Sequence, residues 1–245
     1  MKLFVASTGR CGTTFMYKVL NALTDLTVFH EPRPKFKTSR LCARINNDIG
    51  ATDEEFEAAC LEKITQIERD TDESGNYVET SHYFIKSYVD LILDNFDDVY
   101  CIYLHRNPIE VLGSWTLMVA KQLHTSLEPH LEPHYKKNLL RIPDGGLDVY
   151  STILWNWFEV HARFLHYKDR FVKTFDFDFK NINDTDTWKK MLDHFEIELK
   201  PEYANMTSLP DVFKYTSRTP LKLELGGLKN SSFEEVMKFV MKRWH

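Results

Sequence analysis

The sequence predicts an α/β fold: a central, mainly parallel sheet with helices on both faces, a three-layer sandwich. Two observations carry this. The apolar run Leu3-Phe4-Val5-Ala6 passes into the glycine-containing stretch STGRCGTTFM (residues 7–16) and then into a helical pattern. The same order of strand, turn and helix recurs at residue 99, where Val-Tyr-Cys-Ile-Tyr-Leu runs apolar without alternation up to residue 104. A continuous run of β-favouring apolar residues is the pattern of a strand buried on both faces, as parallel sheets require. Strands that alternate with helices build the layered arrangement.

Residues 2–6 read as the first buried strand. Thr13 or Thr14 is a candidate cap for the next helix, whose apolar positions Met16, Val19, Leu20 and Leu23 keep helical spacing. Thr52 to Glu55 has capping-box spacing and opens a helix with Phe56, Cys60, Ile64 and Ile67 on one side. After the strand at 99–104, Asn107-Pro108-Ile109-Glu110 supplies an N-cap, a proline at the first helical position and an early carboxylate. Residues 147–167 form a long amphipathic pattern through Tyr150, Ile153, Leu154, Trp157, Phe158, Phe164 and Leu165. A short strand is expected at 171–175, with helices near 185–195 and 232–244. The small repeat Leu127-Glu-Pro-His, Leu131-Glu-Pro-His places two histidines four apart, but its prolines oppose a regular helix, so it reads as a polar loop.

The chain has 245 residues, enough for one sizeable core, and no linker-like stretch divides it; one domain over 1–245 is expected. Apolar residues make up 43%, which argues against disorder. The net charge of −5 gives nucleic acid no basic surface to bind, although local arginines still serve a small anion. Four scattered cysteines, with no CxxC, fit a reducing compartment rather than a disulfide or zinc framework. The opening apolar run is too short for a signal peptide or a membrane span, so a cytoplasmic setting without membrane contact is expected. Nothing in the sequence sets an oligomeric state.

The stretch STGRCGTTFM has the order of a phosphate-binding turn: strand, glycines, helix start, so that backbone N–H groups and the helix dipole meet an anion. The nucleotide-binding version GxxxxGK[ST] needs a lysine after its second glycine, and here Thr13 follows Gly12. Arg10 within the turn adds a permanent cation. A second piece, LHRNPIEVLGSW (104–115), places Arg106 at the end of a buried strand and Ser114 about two helical turns later. Strand carboxyl ends line the ligand crevice of such sheets, so Arg106 is placed to bind a second phosphate. Taken singly, the turn, a surface salt bridge for Arg106 and helix packing for Ser114 each have a plain structural reading; the combination is harder to explain that way.

Together the two stretches resemble sulfotransferases that use 3′-phosphoadenylyl sulfate (PAPS), proteins with a P-loop NTPase-like sulfotransferase fold. STGRCGTTFM is similar to their 5′-phosphosulfate loop. YLHRNPIEVLGSW is similar to their 3′-phosphate motif, with the serine eight residues after the arginine. The close match covers about 25 residues. The resemblance implies PAPS as donor, no metal, and transfer of a sulfuryl group to a hydroxyl or amine. It implies that Cys11, Gly12, Thr13 and Thr14 hold the phosphosulfate, that Arg106 and Ser114 hold the 3′-phosphate, and that Phe15 stands against the adenine. Arg10 would neutralise charge on the bridging oxygen as the sulfuryl group leaves.

Transfer to a hydroxyl needs a proton acceptor. In FHEPRP (29–34), Glu31 matches the glutamate that carbohydrate and tyrosyl-protein sulfotransferases carry after the second strand, with Arg33 as a nearby acceptor anchor. In ETSHYF (79–84), His82 is placed like the histidine of the cytosolic branch, and a histidine titrates near neutrality. Glu31 is the favoured base and His82 the rival; His82 also counts as an acceptor-binding candidate. Arg218 and Lys222 are the nearest counterparts of a C-terminal donor loop, and TFDFDF (174–179) reads as structural. The acceptor expected is a small molecule or short glycan. The alternatives are a P-loop kinase of a small molecule, opposed by the missing lysine and by the lack of an evident magnesium-binding aspartate at a strand end, and a nucleotide-binding module without catalysis.

Overall fold

The computed structural model describes residues 1–34, 36, 39–120, 131–142, 147 and 149–215. Five parallel strands form its sheet in the order β2-β3-β1-β4-β5. They are β1 (Lys2–Ala6), β2 (Val28–Phe29), β3 (Tyr77–Glu79), β4 (Val99–His105) and β5 (Thr174–Asp178). The helices are α1 (Thr13–Leu23), α2 (Ser39–Asn47), α3 (Asp53–Asp70), α4 (Val89–Asn95), α5 (Pro108–Ala120), α6 (Val149–Tyr167) and α7 (Thr185–His194), with a π-helical turn at Phe84–Tyr88 before α4.

The two faces of the sheet carry separate cores. Leu3, Val5, Ile102, Leu104 and Phe177 pack with α1, α5 and α7. Phe4, Ala6, Tyr77, Cys101 and Tyr103 pack with α2, α3, α4 and the π-helical turn, and α6 contributes to both. This is the predicted three-layer α/β arrangement, and alternation along β1 and β4 explains why their runs are apolar throughout. Among the described residues, no helix is long and apolar enough to cross a membrane.

β1 lies between β3 and β4, so the chain leaves β1 toward one side of the sheet and later crosses to the other. The carboxyl end of β1 is therefore the switch point where such sheets open a crevice. STGRCGTTFM begins there.

Several elements depart from the sequence expectations. The last strand starts at Thr174, not at residue 171; Val172 is exposed, and pairing with β4 begins at Cys101 opposite Thr174. So TFDFDF is the strand itself and its exit. Neither Thr13 nor Thr14 caps α1: Gly12 holds the N-cap position with φ 97°, and no side chain caps the first turn. In α3 the predicted capping box forms, with Thr52 and Glu55 bonded reciprocally. Its most buried positions, however, are Ala59, Lys63, Gln66 and Ile67, while Phe56, Cys60 and Ile64 are half-buried, because a buried polar cluster takes the centre of that face. In α6, Tyr150 and Leu165 are exposed, whereas Trp155 is wholly buried. The repeat is irregular in its second copy, where Glu132 and His134 are exposed as a polar loop requires, although Leu131 is fully buried. Its first copy, the 232–244 helix, Arg218 and Lys222 lie outside the described residues.

Candidate active site

Every strand delivers a residue of interest at its carboxyl end. β1 runs into the loop Ser7–Gly12, β2 into His30 and Glu31, β3 into Thr80 to His82, β4 into Arg106, and β5 into Phe179. In the loop, Gly9, Arg10 and Gly12 have φ of 83°, 59° and 97°. Left-handed residues among right-handed ones turn successive N–H groups toward one concavity, an anion nest. Gly12 is needed twice over: its φ disfavours a side chain, and a Cβ would stand 2.8 Å from Cε2 of Phe179.

Among the described residues, four non-glycine residues have positive φ: Arg10, Glu31, Asp48 and Glu196. Asp48 directly follows α2, and Glu196 follows the α7 C-cap Phe195, places where such a residue is an ordinary helix end. Arg10 and Glu31 end no helix. Strain of this kind gathers at functional sites.

Arg10 donates from Nε to Ser114 Oγ at 3.2 Å, which brings together two stretches that are 104 residues apart in the chain. Its guanidinium pKa is held below the usual value by desolvation and by the like charge of Arg106, partly offset by the Tyr215 phenol. Arg106 lies 4.3 Å above the Phe179 ring and pairs through Nε with Glu110 at 2.7 Å. Its carbonyl accepts the Trp157 indole N–H at 2.8 Å. The surface salt bridge thus exists, but the guanidinium also sits on an aromatic wall beside the loop. Phe15 meets Tyr215 edge-on at 5.7 Å, and Tyr215 meets Phe179 at 5.0 Å. Asn183 holds the Tyr215 backbone through its N–H at 2.7 Å and its carbonyl at 2.9 Å.

The two rival bases are neighbours. His82 Nε2 lies 3.4 Å from Glu31 Oε1, and both side chains are largely shielded. The His82 ring also lies against the loop, where a Cβ on Gly9 would come within 3.4 Å of its Cγ. Arg33 is exposed. Thr13 and Cys11 are buried, whereas Thr14 is exposed. Burial raises the Cys11 thiol pKa, which leaves it a neutral packing group.

The structure adds two groups that the motifs passed over. Lys86, from the π-helical turn, is buried behind the loop and donates from Nζ to Thr8 O at 2.7 Å. Burial lowers its pKa to about 8, with Cys42, Cys11 and Glu31 opposing. A lone lysine inside the apolar run FIKSYVDLIL was its signal. His30 bridges Thr14 and Thr80, and its place directly before Glu31 was the only hint. An aspartate does stand at a strand end: Asp178 closes β5, but its carboxylate accepts the Lys180 N–H at 2.9 Å and pairs with Lys180 Nζ at 2.9 Å. Among the described residues no group of three His, Cys, Asp or Glu side chains is arranged to hold a metal.

No family model and no curated protein matches the chain. Among solved structures it is similar to the sulfotransferase domain of an olefin synthase from Synechococcus PCC 7002, at 11% identity and a TM-score of 0.46, covering 100% of this chain and 94% of that one. It is also similar to a sulfotransferase from Mycobacterium avium, at 13% identity and a TM-score of 0.43, covering 82% of this chain and 65% of that one. A sugar kinase from Janibacter sp. HTCC2649, in its unliganded structure, is similar at 12% identity and a TM-score of 0.43, covering 80% of this chain and 94% of that one. Identities this low assign the chain to neither kind of protein.

Proposed function

We propose that the chain is a PAPS-dependent sulfotransferase acting on a hydroxyl or amine of a small molecule or short glycan. The observation that carries the reading is the convergence of Arg10, Ser114 and Arg106 at one loop, with the Glu31–His82 pair against the same loop. The residues present suit a donor with two anionic ends. The N–H groups of residues 11–14 at the start of α1 suit the phosphosulfate, and Arg106 with Ser114 suits the 3′-phosphate. Phe15, Tyr215 and Phe179 offer flat apolar surface for an adenine. When bound, the donor supplies an activated sulfuryl group on a phosphate leaving group.

The roles of the side chains follow from their chemistry. Arg10 stays protonated, so it stabilises negative charge where the leaving oxygen develops it and delivers no proton. Glu31 takes the acceptor's proton, and His82 at 3.4 Å orients that carboxylate and shares the charge. The rivalry between the two bases becomes a division of labour. Lys86 adds a positive charge behind the loop, which lowers the cost of gathering anionic oxygens there.

Transfer of labelled sulfate from PAPS to a pooled set of phenolic, sugar and amine acceptors, in EDTA, tests the reading. Label should move to an acceptor, and Glu31→Gln and Arg10→Ala should each slow it by about 100-fold or more. Magnesium-dependent consumption of ATP, with no label transfer, would instead make the chain a kinase.

A further inference from the structure

His30 has a place in the loop that neither motif assigns. Its Nδ1 lies 2.7 Å from the Thr80 carbonyl oxygen and 2.9 Å from Thr80 Oγ1. A carbonyl only accepts, so Nδ1 carries a proton. The Thr80 hydroxyl agrees with this, since it gives its own proton toward Phe29 O at 3.4 Å and has lone pairs left for His30. The other ring nitrogen, Nε2, lies 3.0 Å from Thr14 Oγ1. Thr14 is the second residue of α1 and is exposed at the mouth of the loop.

With Nδ1 protonated, the state of Nε2 decides what Thr14 shows. In the neutral ring Nε2 is an acceptor, so it takes the single hydroxyl proton of Thr14. Thr14 then turns only lone pairs to the loop, which an anion avoids. In the imidazolium Nε2–H donates to Thr14 Oγ1, and the hydroxyl proton is released toward the anion. A bound anion also favours the charged ring through space. The groups around the ring are Tyr17 on α1, at 5.6 Å between ring centroids, Thr80 at the end of β3, and Glu31 beside it in the chain with His82 across from Glu31.

We infer that His30 is a positioning residue that takes up a proton from solvent when the loop binds an anion, coupling donor loading to pH through the Thr14 hydroxyl. The inference rests on the reading of residues 7–14 as the anion loop. It adds a regulation to that reading: the site loads more readily as pH falls, by up to about tenfold per pH unit for one linked proton.

The test is calorimetric titration with adenosine 3′,5′-bisphosphate, in EDTA, in two buffers of different ionisation heat. The buffer dependence of the heat counts the protons exchanged. The wild type should take up more protons than His30→Gln, and its affinity should rise more steeply from pH 8 to pH 6. Thr14→Val keeps the histidine but removes the hydroxyl, and should take up fewer protons than the wild type; a His30 that feels the anion only through space would exchange as many as in the wild type. Proton exchange in the wild type equal to that of either variant overturns the inference. If the bisphosphate fails to bind, the donor reading falls, and the same titration with inorganic pyrophosphate decides the proton linkage by itself. Binding of neither ligand overturns both.

Discussion

Two lysines are buried within reach of the end of β3, and they are held in different ways. Lys63 on α3 is fully buried and donates to Glu79 Oε2 at 2.7 Å and to Gln66 Oε1 at 3.1 Å. Glu79 also accepts from the Tyr77 and Tyr88 hydroxyls. There the charge balance is closed, and the cluster ties α3, β3 and the π-helical turn together. Lys86 is as deeply buried, but its acceptor is the Thr8 carbonyl at 2.7 Å. Among the described residues no carboxylate lies within ion-pair distance of it. A closed pair belongs to folding. A cation kept beneath residues 7–12 without such a partner, its pKa lowered to about 8 mainly by burial, fits the anion loop proposed there.

The comparison is broken most severely at Glu79. Glu79→Gln leaves the Lys63 ammonium buried without its counter-charge and should lower unfolding free energy by about 3–5 kcal/mol in urea titrations, with no matching change in anion affinity beyond what unfolding explains. Lys86→Met should do the reverse. Affinity for adenosine 3′,5′-bisphosphate should fall by about 10- to 100-fold. Stability should shift by only about 1 kcal/mol, because the relief of a desolvated charge offsets the loss of the Thr8 hydrogen bond.

A smaller effect separates the lysines by pH. The folded pKa of Lys86 lies below that of the unfolded chain, so between about 8 and the ordinary lysine value the unfolded state holds more protons. Stability therefore rises with pH across that window, by about 1–2 kcal/mol between pH 7.5 and 9.5, while bisphosphate affinity falls. The stability trend should vanish in Lys86→Met, and the affinity trend should flatten. The smallest change is expected at a third lysine. Lys173 pairs with Glu196 at 2.5 Å on the surface, and Lys173→Ala should alter stability by less than about 0.5 kcal/mol.

What the sequence revealed follows the same division. β1, α1, β4 and α5 were legible because their apolar spacing and the Asn107-Pro108 start are local signals. Arg10, Gly12, Arg106 and Ser114 were legible as two short patterns, and the fold joins those patterns at 3.2 Å. Lys86 and His30 were passed over because their partners, Thr8 and Thr80, lie 78 and 50 residues away. The face of α3 was misjudged for the same reason: a lysine reads as solvated until Glu79 is known to stand opposite. The start of β5 slipped because Phe171 and Val172 are as β-favouring as the strand they precede.

The proposed function requires the end of β1 to hold a doubly anionic nucleotide without metal. Calorimetric binding of adenosine 3′,5′-bisphosphate in EDTA, beside 5′-AMP and Mg-ATP, tests it most directly in wild type and Arg106→Ala. Binding of the bisphosphate in EDTA, much weaker binding of 5′-AMP, and loss of that preference in Arg106→Ala are expected. No binding of the bisphosphate, together with clear binding of Mg-ATP, would contradict the proposed function.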